Sequence, residues 1–590
     1  MSEAYIPPVK HRACGMDGLA AIAEAVWKGR ETIDSRMEEL ARYIYPDRQS
    51  FAHPDDGSPH YGLGPDEEGR REIWDGTPEE AAQMLSAALG SLLTNPAASW
   101  FRLELADGDG TVGGEAGEWL TEATRLMLQA FADPATGFQN EVNAFYMDLP
   151  VFGWGVFWSE SRVGEGLRFR ALSPAQCAIA ENAAGQVDTI VRRYTLTASQ
   201  MIEEFGDRVS DAVKRAAEKD PQKHFGVTHL VMPREKLPEN LRLWDEEDKA
   251  GEGASENAPP ENTLPENILD DAPAGPREEG LAAGLGLDLE AGGEAFEPVL
   301  PDRHPFISVY YETADKRLLH AGGYFEPPFQ APRWAKRSGE VYGRGPGHAA
   351  LPDIRVLNAV AAAQLTAAEK QADPPLLVPD DGVLGKINTH SGGITYYTPG
   401  HGDRIATLPV AVNLEVMEAI ITKRQEAVRR AFLNDRIQMA GGPQMTATEV
   451  AARERKQMLV LGPVLGRLQS EFLGPLVART FALLYRAGRL PAAPESIRGR
   501  ETQAKYVSPI ARAQKQGEAE SFAAAMSFIM PVVQANPDVL ANFDGDAIVR
   551  DTQDMFGYPQ KYLRDAAVVA KERKEAAEAM QPVAREQGGA

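Results

Sequence analysis

Between Asp245 and Asp302 the chain places seventeen acidic side chains and two basic ones, Lys249 and Arg277, in a background rich in Gly, Pro, Ala and Asn. A stretch of that composition buries too little apolar surface to offset the entropy of ordering it. It therefore reads as a flexible acidic insertion, and any core must be built from what lies on either side. Its flanks, 227–232 and 306–312, are β-branched and aromatic and look like consecutive strands, so the insertion extends a surface loop without dividing a domain. It also accounts for −15 of the formal net charge of −25, leaving the remainder an ordinary acidic surface. That sign is wrong for wrapping nucleic acid or gripping an anionic membrane.

At 590 residues the chain is long enough for about four domains of ~150 residues each. Cys14 and Cys177 lie too far apart in sequence to suggest a disulfide framework, and two cysteines fit a chain assembled in a reducing cytoplasm. The apolar run from Leu19 to Val26 is broken by Glu24, and no stretch reaches the eighteen or so apolar residues of a spanning helix. No membrane partner is expected.

Periodicity divides the chain into an N-terminal α+β part and a helical remainder, so the fold class is α+β, mainly helical. Thr77, Pro78 and Glu80 predict a capping box opening a helix with Leu85, Leu89 and Leu92 on one face, ended by Asn95-Pro96. The run Phe152-Gly153-Trp154-Gly155-Val156-Phe157-Trp158 reads as aromatic core with tight glycine turns. Strands are expected at 167–171, 189–195, 227–232, 306–312 and 318–325. Ile354, Leu357, Ala361, Leu365 and Ala368 then recur at helical spacing up to Asp373-Pro374-Pro375.

A turn-and-strand block, 376–410, precedes a second amphipathic helix marked by Leu414, Met417, Ile421, Val428 and Phe432, with Asn413 as its cap. Lys423, Glu426 and Arg430 fall on the opposite face. A polar Gly-Gly loop at 434–445 leads to a further capping box, Thr446-Ala447-Thr448-Glu449, and a long helix to about Leu484 that Gly462-Pro463 and Gly474-Pro475 should bend. A strand at 504–510 and helices at 514–534, 546–556 and 559–580 complete the reading. Lys571, Arg573 and Lys574 form a solvated basic face on the last of these.

The motifs of catalysis are missing. The Gly385-Lys386 pair is followed by Ile387, not the Ser or Thr of a P-loop. Gly343-Arg344-Gly345-Pro346-Gly347 lacks the glycine spacing of a dinucleotide loop, and its proline removes an amide that phosphate would need. The histidines show no zinc-peptidase pattern. Thr389 replaces the glycine that a serine elbow at Ser391 requires, and Asp107-Gly108-Asp109-Gly110 and Asp544-Gly545-Asp546 do not continue as EF-hand loops. The expectation is a non-enzyme without catalytic residues, cofactor or metal; a carboxylate site assembled only in three dimensions is the enzymatic alternative.

The ordered set Trp74-Asp75-Gly76-Thr77, Trp100-Phe101, Gly153-Trp154-Gly155, Gly343 to Gly347, Leu357-Asn358, Asp373-Pro374-Pro375 and Met445 to Val450 resembles the head-to-tail connector, or portal, proteins of short-tailed bacteriophages, over roughly residues 20–575. The resemblance implies a ring, a dodecamer, at one capsid vertex of the virion. Double-stranded DNA passes passively through its bore during packaging and ejection, without sequence-specific contacts. It implies as partners the terminase packaging ATPase, the tail adaptor, and scaffolding and capsid proteins.

By the same likeness, residues 1–350 form a wing that includes the insertion 245–302. Residues 351–375 and 411–433 form two stem helices, and 376–410 a clip between them. A tunnel loop spans 434–445, with Arg436, Gln438, Met439, Gly441 and Gly442; a kinked wing helix spans 446–490, and a crown with a C-terminal helical barrel spans 491–590. Lys423, Arg430 and Arg436 are candidate DNA-channel residues, with surface or intersubunit ion pairs as their other reading. A structural tail or capsid subunit without a DNA channel is the alternative function. The acidic insertion departs from the family's compact pattern.

Overall fold

The computed structural model describes residues 13–46, 72–96, 98–105, 114–162, 166–237, 304–377, 413–437, 461–497 and 502–506, with the shorter pieces 383–384, 387, 396–397, 406–407, 522–531, 533–534, 548–549, 569 and 571–575. The N-terminal body opens with α1 (Ala13–Ile44), α2 (Thr77–Leu93), β1 (Phe101–Leu105), α3 (Gly114–Ala132) and α4 (Phe138–Phe152). On α2 the spacing buries Leu85 and Leu89 as expected, while Leu92 is half-buried. Its start differs from the expected capping box. Gly76 is the N-cap, Thr77 is the first helical residue, and Asp75 Oδ1 accepts from Thr77 N at 2.8 Å. A carboxylate is a stronger acceptor than a hydroxyl and suits the positive end of a helix, so Asp75 takes the role expected of Thr77.

Two antiparallel sheets follow. The smaller joins β2 (Val156–Arg162), β3 (Gly166–Leu172) and the two-residue β9 (Phe329–Gln330) in the order β3-β2-β9. The larger is a meander of β4 (Cys177–Glu181), β5 (Val187–Thr197), β6 (His224–Pro233), β7 (Phe306–Glu312) and β8 (Leu318–Tyr324), each strand paired with the next. Helices α5 (Ala198–Phe205) and α6 (Asp211–Lys219) connect β5 to β6. Strands β6 and β7 pair directly, from Val227↔Glu312 to Pro233↔Phe306, so the two sides of the acidic stretch are one antiparallel ladder, as its flanks suggested. Residues 245–302 themselves lie outside the described residues.

The core is aromatic. Trp100, Phe101, Phe131, Phe138, Phe145, Phe157 and Phe169 pack with ring centroids 4.5–6.5 Å apart, and Trp154 and Phe157 have no exposed surface. Each such ring removes a large apolar area from water and gains from edge and offset packing.

Two long helices leave this body. The first, α7 (Pro346–Ala372), starts earlier than its apolar periodicity suggests because Pro346 occupies the first turn, where no N–H is needed, and Pro352 is accommodated in the second turn. The second, α8 (Leu414–Ala431), is capped by Asn413, whose side chain accepts from Val416 N at 3.2 Å. Between them β10 (Leu376–Leu377) pairs with β13 (Ala406–Thr407), and β11 (Val383–Leu384) with β12 (Tyr396–Tyr397). The nested ladders bring the chain back beside α7.

After α8 the expected loop begins as a short helix, α9 (Asn434–Ile437), because Leu433 adopts a left-handed φ of 61° and turns the chain at once. Residues 438–460, including Gln438, Met439, Gly441, Gly442 and the Thr446–Glu449 box, are outside the described residues. The long helix expected after 446 is described from 461 onward. It passes through a π turn (Gln469–Leu473) directly before Gly474-Pro475 and continues as α10 (Gly474–Arg486). β14 (Thr502–Tyr506) then pairs with β1, which returns the chain to the N-terminal body.

Candidate functional site: the junction of the long helices with the body

Two motifs far apart in sequence meet where α7 starts. Gly153 ends α4 at φ 78°, a left-handed value open to glycine. A Cβ on it would lie 2.3 Å from Gly345 N, and a Cβ on Gly343 would lie 2.1 Å from Gly153 O. Gly345 and Gly347 are pressed in the same way against the carbonyls of Pro150 and Val151. The glycines of Gly343–Gly347 thus cradle backbone, not phosphate. Trp334 N donates to Gly153 O at 2.8 Å, and Trp154 packs edge-on to Tyr342 at 4.9 Å. Beside them, burial together with Arg344 lowers the His348 imidazole to about 4, leaving Nδ1 neutral to accept from Gly345 N at 3.3 Å.

A second seam joins both long helices to α2. Asn358 of α7 accepts from Trp74 N at 2.7 Å and donates to Glu72 O at 2.8 Å. Gln425 of α8 donates to the free oxygen of Asp75 at 2.8 Å. In the orientation that satisfies its neighbours, the Asn434 amide donates to Phe432 O and Ala81 O at 3.1 Å each. Trp74-Asp75-Gly76-Thr77 and Leu357-Asn358 are therefore two halves of one hydrogen-bonded seam.

Buried arginines fasten the rest. Arg333 donates through Nε and its backbone N to Glu471 Oε2, at 3.1 and 2.9 Å, and through Nη2 to Glu471 Oε1 and Gly185 O, both at 3.0 Å; it also pairs with Glu181. It thereby ties the π turn of the long helix to the large sheet. Arg30 donates to the carbonyls of Pro174, Ala175 and Cys177 and pairs with Asp34 at 2.9 Å, which holds α1 to the start of β4. Burial pushes the Glu326 carboxyl up, but Arg486 and Arg479 outweigh it and hold the group below the usual carboxylate range. No local pattern announces these partners, since Arg333 and Glu471 are 138 residues apart.

Lys423 and Arg430 are exposed on α8. Among the described residues neither has an ion-pair partner, whereas the neighbouring Arg424 pairs with Asp353 and Arg429 reaches Glu80 at 3.8 Å. Arg436 lies in α9, apart from the α8 pair in sequence; its side chain is outside the described residues. Among the described residues no group of three or more His, Cys, Asp or Glu could hold a metal ion, and no helix is long and apolar enough to cross a membrane.

The sequence pattern of the family "Bacteriophage head to tail connecting protein" matches residues 16–244 and 295–563. The chain belongs to that family. The unmatched stretch inside the connector pattern falls within the acidic insertion. Two relatives align along nearly the whole connector chain. The "Probable portal protein" of Bordetella phage BPP-1 is 27% identical over 562 residues, 94% of this chain and 89% of the relative. The "Portal protein" of Salmonella phage epsilon15 is 25% identical over 577 residues, 95% and 91% of the two chains. Among solved structures, a chain of the virion of a native gene transfer agent particle aligns with 80% of this connector at 11% identity and a TM-score of 0.34.

Proposed function

We propose that this connector chain is the portal subunit of a phage virion, assembling side by side into a ring, twelve copies by family likeness, at one capsid vertex. Double-stranded DNA passes through its bore in packaging and ejection. The observation that carries this reading is the family match on both sides of the acidic stretch, which takes in both long helices and the block between them. Head-to-tail contacts close into a ring when the rotation per subunit divides a full turn, so one contact surface suffices to encode it.

In this reading residues up to about 350 and the bent helix 446–490 form the wing, 351–375 and 411–433 the stem, and 376–410 the clip. The clip docks the terminase and later the tail adaptor, and the ring also meets scaffolding and capsid proteins. The segment 434–445, with Arg436, Gln438, Met439, Gly441 and Gly442, faces the bore, and 491–590 forms the crown and barrel. DNA carries one negative charge per about 1.7 Å of axis, so a bore crowded with cations would hold it and resist movement. An acidic chain offering sparse bases such as Lys423, Arg430 and Arg436 lets DNA slide while touching phosphates without reading sequence.

Negative-stain images of the purified full-length protein test this. The portal reading expects rings with a central opening; a subunit of tail or capsid without a channel would give solid discs, tubes or no assembly. Arg436→Ala is expected to weaken DNA retention in packaged heads, and unchanged packaging and retention would remove that residue from the channel.

A further inference from the structure

We infer that neighbouring copies meet through a knob and a socket on opposite sides of the two long helices, with Trp74 of one copy seated on Val356, Ala359 and Ile420 of the next. This rests on the ring reading above and specifies its contact. Large apolar side chains are exposed on this two-helix unit: Val356 (40%), Leu365 (45%), Val416 (53%) and Ile420 (38%), with Trp74 (49%) alongside.

Helix geometry assigns these residues to faces. The buried Leu357 and Val428 and the Asp353–Arg424 pair mark the sides on which α7 and α8 meet. Successive residues turn by about 100° around a helix. Asn358 and Gln425 therefore turn to one side, where they hold the backbone of Trp74 and the carboxylate of Asp75. Val356, Ala359, Val416 and Ile420 turn to the other side, which no described element covers.

The Asp353–Arg424 pair and the pairing of Leu376–Leu377 with Ala406–Thr407 fix the antiparallel register, and it sets Ile420 within about a turn of Val356 and Asn358 along the axis. The indole and the aliphatic face thus stand at one level on opposite sides of the same unit. Two faces that match each other and not themselves describe a head-to-tail contact, and the partner that carries the matching face is a second copy of this chain. An exposed tryptophan beside an aliphatic socket has the composition of an interface anchor.

The test uses the full-length chain carrying Trp74→Cys together with Ile420→Cys, assembled and then oxidised. A disulfide forms only when the two Cα atoms come within about 7 Å, so the inference expects a covalent ladder of multimers on a non-reducing gel, absent from either single variant. Ile420→Lys, on an exposed position, is expected to keep the wild-type melting profile and lose the rings. Rings that form without a ladder, or wild-type rings from Ile420→Lys, overturn the contact and leave the ring intact; another protein covering this face would give that result. Absence of rings from the unaltered chain counts against the ring reading itself.

Discussion

The N-terminal body and the two long helices are built from similar proportions of apolar residues but satisfy them differently. In the body, the aromatic cluster around Phe101, Phe138 and Phe157 is sealed within one chain, and buried charges such as Arg333 and Arg30 find their partners there. On α7 and α8, Leu357 and Val428 are buried while Val356, Leu365, Val416 and Ile420 remain exposed. Monomeric proteins scatter single exposed aliphatics, but several on one two-helix unit mark a surface meant for contact. The difference teaches that the body's apolar side chains are covered within one chain, whereas the helices leave a face that, in the proposed ring, a neighbour covers.

The largest effect should come from the glycine crossing. Gly153→Ala combines a left-handed backbone with a Cβ 2.3 Å from Gly345 N, and is expected to cost about 4 kcal/mol or more in denaturant unfolding. A small loss there would break the picture of a rigid, self-contained body. Arg333→Met should cost about 3 kcal/mol, since it leaves Glu471 with only a backbone N–H and Arg467 at 3.7 Å, and Glu181 with Lys336, where a buried guanidinium had bridged the two carboxylates.

Next is a pH effect. Burial together with Arg344 lowers the folded His348 imidazole to about 4 from its ordinary 6.5, so between those values the unfolded chain binds a proton that the folded chain refuses. Stability therefore falls as pH drops through that window, by about 3 kcal/mol for this residue, and His348→Gln should flatten that part of the profile. Smallest of all, Val416→Ser on the open face should change the stability of the unassembled chain by no more than about 0.5 kcal/mol while weakening assembly. A large loss of monomer stability from that substitution would erase the contrast between the two regions.

Local pattern made much of the architecture legible. Strands 227–232 and 306–312 were readable through their β-branched and aromatic residues despite the acidic stretch between them, because a loop of any length leaves the ladder's own residues unchanged. Asn413 as a cap and the disturbance before Gly474-Pro475 were likewise readable. The sequence alone does not decide the cap of α2, because Asp75 and Thr77 both offer acceptors and only the local geometry chooses between them. The seam through Asn358, Gln425 and Asn434 and the clasp of Arg333 on Glu471 were not legible, since each joins residues whose proximity arises from the tertiary fold. Gly153 and Gly345 both stood out as glycines in sequence, yet nothing there says that each is small because the other is near.

The central claim, that these chains close on one another side by side, is tested most directly by the native mass of the purified full-length protein. The account predicts one dominant species containing a fixed whole number of 64.2 kDa chains, twelve by family likeness, which survives dilution as a unit. A single-chain mass at every concentration, or an open-ended series of masses without a preferred size, would contradict it.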